Sequence, residues 1–263
     1  MFPHSAAELE RLAFQHAIVS QILGGCFLPG IVNFVSNTEL SILDCGSGSG
    51  AWANDIAFAL PRSSVIGFDI YKVDIEFAAP NVKFDVVDAN SALPYDDNSF
   101  DIIHSRNMMF AITDWPRYMT ELKRVLKPGG SIHFIETVFP EIFKSNTPYL
   151  LDVVRFVTDE LHVYYNVGRH LENLLPLAGL TSSLVKSYSF SFGPFGDNEN
   201  DRRLGGLMQS CSIEGAEVLV RSYVAKSNLS ETEAKPYFDD ANKLFGTHNK
   251  SEGSLKYVVA GKH

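Results

Sequence analysis

The sequence predicts an α/β fold in which helices cover both faces of a parallel sheet. Between residues 40 and 137, short apolar runs alternate with helical patterns, as in repeated strand–helix units. One apolar run ends in Asp44 and is followed by three glycines at alternate positions, and the next apolar run ends in Asp69. Because the carboxyl ends of parallel strands meet at one edge of a sheet, these groups are expected to form a ligand site there.

The first predicted element is a helix near the amino terminus. Ser5 and Glu8 have the spacing of a capping box. Apolar residues at helical spacing continue to about Gln21, and Gly24 is typical of a helix end. Two interpretations of residues 1–39 stay open, because periodicity does not separate them: a helix packed outside the sheet, or a helical lid over the ligand cleft.

The second element is a buried strand at residues 41–43 that turns sharply into a helix. Glycine permits the tight bend and the close approach of a ligand, and the new helix offers free N–H groups. Dinucleotide oxidoreductases and proteins that bind S-adenosylmethionine (SAM) both use such a loop, and Asp69 could accept ribose hydroxyls in either. The negative charge of Asp44 suits an ammonium and a sulfonium better than a pyrophosphate, which favours SAM.

The alternation of predicted strands and helices continues to residue 137, and an insertion then interrupts it. A third strand ends at Asp88, and Pro128 begins a turn before a fifth strand at residues 132–135. Residues 138–176 form an aromatic-rich insertion. A strand at residues 183–192 and helices within residues 197–250 are predicted after it.

Together these motifs resemble those of class I SAM-dependent methyltransferases. They follow the family order over residues 40–137. They are L-D-x-G-x-G-x-G at residues 43–50, Asp69, Asp88 with Ala89, residues 94–103 leading into the fourth strand, and L-K-P-G-G at residues 126–130.

The resemblance implies a Rossmann-like class I methyltransferase sheet of seven strands, the last one antiparallel and formed by residues 255–261. It implies a single methyltransferase domain over residues 1–263, with a SAM-binding core at residues 40–137. Helical insertions at residues 138–176 and 194–254 would cap the substrate. The cofactor would be SAM, released as S-adenosylhomocysteine.

A narrower resemblance is to the LaeA-like methyltransferases of fungi. It rests on Glu10-Arg11-Leu12, Gln15-His16, and residues 50–53, 104–107 and 114–116. It implies an enzyme of secondary metabolism that methylates a small hydrophobic natural product, with oxygen the expected acceptor. Two alternatives stay open: a cyclase or pericyclase that binds SAM without transferring a methyl group, and a regulatory protein like the namesake of this branch.

The resemblance also assigns the cofactor site. Asp69 would bind the ribose, and Asp88 and Ala89 would flank the adenine. Ser105 and Arg106 would lie beside the sulfonium. The expected cofactor residues are Asp44, Gly46, Ser47, Gly48, Gly50, Trp52, Asp69, Ile70, Asp88, Ala89, Ser105 and Arg106.

The catalytic group is less sharply defined by the sequence. His162, on the aromatic insertion, is the preferred general base, and His133 and Glu136 are further candidates. His133 and His104 also fit a second interpretation as buried, hydrogen-bonded histidines. His4 and His16 would come into reach if the first helix is a lid, and a thiol or acidic phenol would need no base. The residues expected to line an apolar substrate pocket are Asn107, Met108, Phe110, Phe139 and Phe143.

The composition of the chain limits the kinds of molecule that it is expected to bind and the compartment in which it is expected to work. The net charge of −9 at pH 7 argues against non-specific binding of nucleic acid. The three cysteines are widely spaced, which favours a reducing, cytoplasmic setting. No metal site is predicted, no signal peptide is visible, and no apolar run approaches the length of a membrane span. The expected assembly is a monomer or a homodimer that binds a small molecule.

Overall fold

A computed structural model of the protein describes residues 5–27, 39–139, 147–245 and 251–262. The strands are β1 (Ser41–Cys45), β2 (Ser64–Asp69), β3 (Val82–Val86), β4 (Phe100–Arg106), β5 (Leu126–Val138), β6 (Thr181–Phe192) and β7 (Ser251–Gly261). The helices are α1 (Ala6–Leu23), α2 (Ala51–Ala59), α3 (Trp115–Val125), α4 (Pro148–Arg155), α5 (Leu171–Leu174), α6 (Glu199–Ser227) and α7 (Glu231–Phe245).

The seven strands form one sheet in the order β3-β2-β1-β4-β5-β7-β6. The first five strands are parallel, and β7 runs antiparallel to both of its neighbours. This confirms the predicted sheet, including its antiparallel last strand. The strand order reverses between β1 and β4, so a crevice opens at their carboxyl ends, where ligands bind in open α/β sheets.

Three strands begin earlier than predicted. Leu126 already pairs with Phe100, and the regular ladder resumes where Ser131 pairs with Ile102, so the glycine-rich turn is absorbed as an irregularity inside β5. Strands β6 and β7 are longer because they pair with each other over their whole length.

Helix α1 forms as the capping signals predict. The Ser5 hydroxyl accepts a hydrogen bond from the Glu8 N–H at 3.2 Å, and Gly24 ends the helix in a left-handed conformation with φ 78°. The Glu8 carboxylate accepts from the guanidinium of Arg11 on the next turn.

The apolar core lies on both faces of the sheet, and α1 takes part in it. Ile18, Val19 and Leu23 are buried with side chains of α6 and β7. The amino-terminal half of the same helix faces the crevice instead. Within the described ranges, no helix combines the length and the apolar character needed to cross a bilayer.

Candidate cofactor and substrate site

One cavity of about 340 Å³ lies at the carboxyl ends of β1, β2 and β4. Its first part, here called the cofactor end, is polar. Its second part, here called the acceptor chamber, is apolar and is walled mainly by α4 and α6. The cofactor end comprises Asp44, Gly46, Ser47, Gly48, Trp52, Asp69, Ile70, Asp88, Ala89, His104 and Arg106. The acceptor chamber comprises Phe139, Leu150, Val153, Val157, Met208, Ala216, Leu219 and Phe245.

The glycine loop is held tightly at the cofactor end. Gly46 and Gly48 have φ values of 66° and 55°, a region that favours glycine. The Gly48 N–H donates to Asp69 Oδ2 at 2.8 Å. A Cβ atom on Gly46 would meet the thioether of Met108, so a side chain there would require that methionine to move as well as a strained backbone.

Two of the residues expected to bind the cofactor do not line this cavity. Gly50 packs behind the loop, where a Cβ atom would lie 2.6 Å from Ile75 and 2.8 Å from Val73. Ser105 is fully buried, and its hydroxyl lies 3.0 Å from that of Tyr118. The reason is the alternation of side chains in β4, which directs the residues on either side of Ser105 into the cavity instead.

The acids at the ends of β2 and β3 line the cavity as expected. Asp69 Oδ1 accepts from the N–H of Tyr71 at 3.2 Å, in addition to its bond with the glycine loop. Asp88 Oδ1 accepts from the backbone and side-chain N–H groups of Asn90 at 2.9 and 3.2 Å. These bonds fix both carboxylates while leaving lone pairs for hydroxyl or amino donors.

His104 forms a buried pair with Asp44 at the cofactor end. Its Nδ1 lies 2.8 Å from Asp44 Oδ1, and its ring stacks on Trp52 with centroids 3.7 Å apart and planes 3° from parallel. Burial lowers the pKa of His104 to about 4, against the opposing effect of Asp44. The ring is therefore neutral at pH 7. Within the described part of the chain, Asp44 Oδ2 and His104 Nε2 have no hydrogen-bond partner.

Arg106 connects the cofactor end to α1 and α2. Its Nη1 lies 3.1 Å from His16 Nδ1, and His16 Nε2 lies 3.0 Å from Asp55. Burial, reinforced by the charge of Arg106, lowers the pKa of His16. Potential metal-ligating atoms of His16, Cys26 and Asp55 lie within 4.8 Å of one another, but the adjacent guanidinium opposes a further cation.

The residues present fit SAM. Asp44 Oδ2 is a buried carboxylate oxygen that lacks a donor among the described residues, and a cationic N–H group of the cofactor would satisfy it. Asp69 and Asp88 offer acceptors for ribose and adenine, and the close packing around Gly46 leaves the loop backbone against the cavity. When SAM is bound, these groups would hold its methionine, ribose and adenine parts in that order.

Four of the five expected substrate residues line the cavity. Asn107, Met108, Phe110 and Phe139 all line it, whereas Phe143 lies outside the described residues. Asn107 Oδ1 accepts from the N–H and the hydroxyl of Thr137 at 3.2 and 2.9 Å. Because a backbone N–H can only donate, this fixes the amide orientation, and Nδ2 is left without a partner in the described residues.

None of the three expected catalytic residues lines the cavity. His162 is exposed on a left-handed turn with φ 54° that carries it away from the site. His133 is buried between Ser131 and Tyr257, where burial lowers its pKa to about 3. The interpretation of His133 as a buried, hydrogen-bonded histidine therefore fits, and its alternative role as a base does not.

Glu136 is not among the residues that line the cavity. It is fully buried and accepts from the N–H groups of Met108 and Met109 at 2.8 and 3.3 Å. Burial raises its pKa to about 8, in spite of these donors. Its role is to hold the turn that follows β4.

The structure adds residues that sequence reasoning missed. Arg11 donates to both carboxylate oxygens of Glu8 at 2.8 and 2.6 Å, and its Nη1 lies 3.7 Å from the sulfur of Cys211 on α6. All three residues line the cavity. The sequence could have indicated the ion pair, because Glu8 and Arg11 are spaced one helical turn apart. It could not have indicated the contact with Cys211, because only tertiary packing brings α6 against α1. His104 was expected only as a buried, hydrogen-bonded histidine, and it also lines the cavity, as its position two residues before Arg106 in the same strand could have indicated.

The sheet, the glycine loop and the strand-end acids define a class I SAM-dependent methyltransferase. The family model of the methyltransferase domain matches residues 36–174, more than half of the chain, and the chain belongs to this family. The methyltransferase pytC of Aspergillus terreus is 27% identical over 230 residues, which are 84% of this chain and 69% of pytC.

A regulator and a cyclase are also similar to this chain. The secondary metabolism regulator LAE1 of Cochliobolus heterostrophus is 30% identical over 138 residues, which are 52% of this chain and 45% of LAE1. These fungal relatives confirm the resemblance to the LaeA-like branch. The crystal structure of the 4+2 cyclase SpnF shares the fold, with a TM-score of 0.53 and 17% identity over 99% of this chain and 98% of SpnF.

Proposed function

We propose that this protein transfers the methyl group of SAM to an oxygen atom of a small apolar natural product. The observation that carries the proposal is the continuity of the cavity, since the apolar acceptor chamber opens into the cofactor end. Methyl transfer needs this continuity because proximity and orientation supply much of the rate. The three cysteines are unpaired, which supports a reducing cytoplasmic setting as part of the same proposal.

The chain's own residues bind, orient and desolvate the reactants. SAM, when bound, supplies an electrophilic methyl group on a sulfonium. The apolar side chains of α4 and α6 exclude water from the acceptor, which strengthens the polar contacts that remain. Asn107 Nδ2, held in one orientation by Thr137, donates to an oxygen of the acceptor beside the reacting atom.

The proposed acceptor is a hydroxyl that ionises readily. Of the described residues that line the cavity, His104 is the only histidine, and it lies at the cofactor end. An enol or an acidic phenol loses its proton to solvent before it enters the chamber and then needs only positioning. A simple alcohol would need a general base at the acceptor, but the side chains that make up the acceptor chamber are apolar and the Glu8 carboxylate in the same cavity lining is paired with Arg11.

The test uses the purified protein, SAM labelled in its methyl group, and a panel of apolar enols and phenols with alcohols of matched size. Label is expected in organic products of the enols or phenols and not of the alcohols. The variant Ala216→Trp, which fills the acceptor chamber, should abolish labelled product and keep its affinity for S-adenosylhomocysteine. Labelled product that survives this substitution would contradict the assignment of the chamber.

A second candidate is a reaction in which SAM is bound but no methyl group moves. The similarity of fold to SpnF and the lack of a base in the described acceptor chamber favour it. It predicts an unlabelled, rearranged product that forms only when SAM is present. A regulatory role, as the name of LAE1 states for that protein, predicts neither product and is less favoured because the chamber is already shaped for a small molecule.

A further inference from the structure

A buried ion pair lies in the wall of the cavity, and the proposed methyl transfer does not explain it. Glu8 and Arg11 of α1 are 5% and 8% exposed, and both line the cavity. Arg11 Nε and Nη2 donate to the two carboxylate oxygens of Glu8 at 2.8 and 2.6 Å. Because a buried ion pair stabilises a fold little more than apolar side chains of similar size, its place in this wall points to a role toward the ligand.

The third nitrogen of the guanidinium, Arg11 Nη1, extends from α1 to α6. It donates to the sulfur of Cys211 at 3.7 Å. Burial raises the pKa of this thiol, so the sulfur is uncharged at pH 7 and is a weak acceptor. A carbonyl oxygen is a stronger acceptor for a charged donor, so an oxygen of a ligand would take this N–H in preference to the sulfur.

Gly215 of α6 leaves space beside the same nitrogen. It lies one turn beyond Cys211 and also lines the cavity. A Cβ atom on Gly215 would lie 3.6 Å from Arg11 Nη1, and outside α6 it would meet no other described residue within 4 Å. Glycine in the middle of a helix is less stable than alanine, and alanine would fit here. The glycine therefore keeps open a space that a methyl group would fill.

Cys211 and Gly215 lie on the side of α6 that forms the acceptor chamber. Met208 and Leu219 of the chamber precede and follow them at intervals of three or four residues, which places all four on one face of the helix. Arg11 Nη1 is thus held against the same helix face that an acceptor in the chamber would contact.

We propose that Arg11 Nη1 binds a carbonyl oxygen of the acceptor in the space that Gly215 leaves open. An uncharged carbonyl suits this position better than a carboxylate, because the Glu8 carboxylate already lies on the same guanidinium and would repel a second negative charge. A charged donor withdraws electron density from the oxygen that it binds, so the methylated oxygen is a different one. The substrate class is therefore an apolar hydroxylated ketone. This inference rests on the acceptor chamber of the proposed function, but it concerns binding and not methyl transfer.

The experiment compares hydroxytetralones with the tetrahydronaphthols in which a methylene group replaces the carbonyl. The hydroxytetralones differ in the position of the hydroxyl, and each has its own tetrahydronaphthol partner. Calorimetry is done on protein saturated with S-adenosylhomocysteine, so that it measures binding of the acceptor alone. The wild type should bind at least one hydroxytetralone about tenfold or more tightly than its partner, as expected for a hydrogen bond from a charged group.

The test variant is Gly215→Ala, which fills the space beside Nη1. It should weaken binding of the ketone about tenfold and change binding of the tetrahydronaphthol by less than about twofold, and its melting temperature should not fall. The matched control is Gly206→Ala, which adds the same methyl group to the same helix. Gly206 does not line the cavity, and a Cβ atom there would have no described atom of another residue within 4 Å. This control should bind both probes as the wild type does.

A second variant removes the donor itself. Arg11→Met combined with Glu8→Gln removes both charges, so that no buried carboxylate is left without its partner. It should bind the ketone and the tetrahydronaphthol with equal affinity. If this variant does not fold, infrared spectroscopy provides the second measurement. The carbonyl stretching frequency of the bound ketone should be lower in the wild type than in Gly215→Ala.

Two results would overturn the proposal. If the wild type shows no preference for any ketone, or binds neither member of any pair, Arg11 does not recognise a carbonyl. If the preference survives in Gly215→Ala and in the double variant, the ion pair only joins α1 to α6. Transfer of labelled methyl groups from SAM to the same probes tests the proposed function separately. Preferred binding of ketones without labelled product would overturn methyl transfer and leave this inference standing, whereas equal labelling and equal binding of both members would do the reverse.

Discussion

The buried carboxyl group of Glu136 should make the stability of this protein depend on pH in an unusual direction. Burial raises its pKa from 4.5 to about 8 in the folded state. Between these two values the folded protein keeps a proton that the unfolded chain has released. The stabilisation is therefore fully present below about pH 4.5, and it is lost as the pH rises through about 8.

The magnitude follows from the size of this shift. The difference of 8 − 4.5 = 3.5 pKa units, at about 1.36 kcal/mol per unit, gives an upper bound of about 5 kcal/mol. Glu136→Gln removes the charge and keeps an oxygen that can accept from the N–H of Met108. Relative to this variant, the wild-type free energy of unfolding should fall by several kcal/mol between pH 4.5 and 9.

Urea denaturation of both proteins across this pH range measures the effect. Any fixed cost of the Gln side chain shifts the variant curve without changing its slope, so the difference in slope is the readout. Glu10→Gln, at an exposed position of α1, is the control and should run parallel to the wild type. Parallel curves for Glu136→Gln and the wild type would refute the reasoning, because they would show that the carboxyl is not perturbed by burial.

Three further predictions concern the glycine loop and α1. Asp69→Ala removes the acceptor of the Gly48 N–H and an expected acceptor for the ribose. Calorimetry should therefore show about 10- to 100-fold weaker binding of S-adenosylhomocysteine. The control Asp74→Ala, at an exposed position, should bind this ligand as the wild type does. Gly48→Val places a Cβ atom 3.0 Å from a leucine of α1 at φ 55°, so both the melting temperature and the ligand affinity should fall; unchanged values for both would contradict the loop geometry. Arg11→Met leaves the buried carboxylate of Glu8 without its ion-pair partner, so the free energy of unfolding at pH 7 should fall by about 3 kcal/mol. Adding Glu8→Gln to this variant removes the buried charge and should restore most of that free energy.

Sequence reasoning reached those site residues whose position follows from the ends of strands. Asp44, Asp69 and Asp88 lie within two residues of the carboxyl ends of three successive strands, so parallel pairing alone brings them to one edge. In β4 the family resemblance assigned Ser105 to the cofactor, whereas His104 was considered only as a buried, hydrogen-bonded histidine. A shift of one residue exchanges the two faces of a strand, and the sequence did not settle that register.

Most residues that form the walls of the acceptor chamber could not be predicted from the sequence. Met208, Ala216 and Leu219 lie on a helix that is positioned at the cavity by its packing on α1, α7 and β6, which no local pattern encodes. His162 was expected to reach the site from the aromatic insertion. Its backbone is left-handed, its side chain is exposed, and it does not line the cavity.

Helix α1 belongs to the cavity wall and to the apolar core at the same time. Leu9 and Leu12 line the cavity, whereas Ile18 and Val19, less than two turns beyond Leu12, are 1% exposed in the core. A ligand that fills the cavity therefore contacts a helix that also packs in the core. Because the ligand binds only when this helix is folded, local opening of the helix becomes less frequent when the ligand is present. Cofactor occupancy should consequently slow amide hydrogen exchange throughout α1, and it should protect the amino-terminal region from proteolysis.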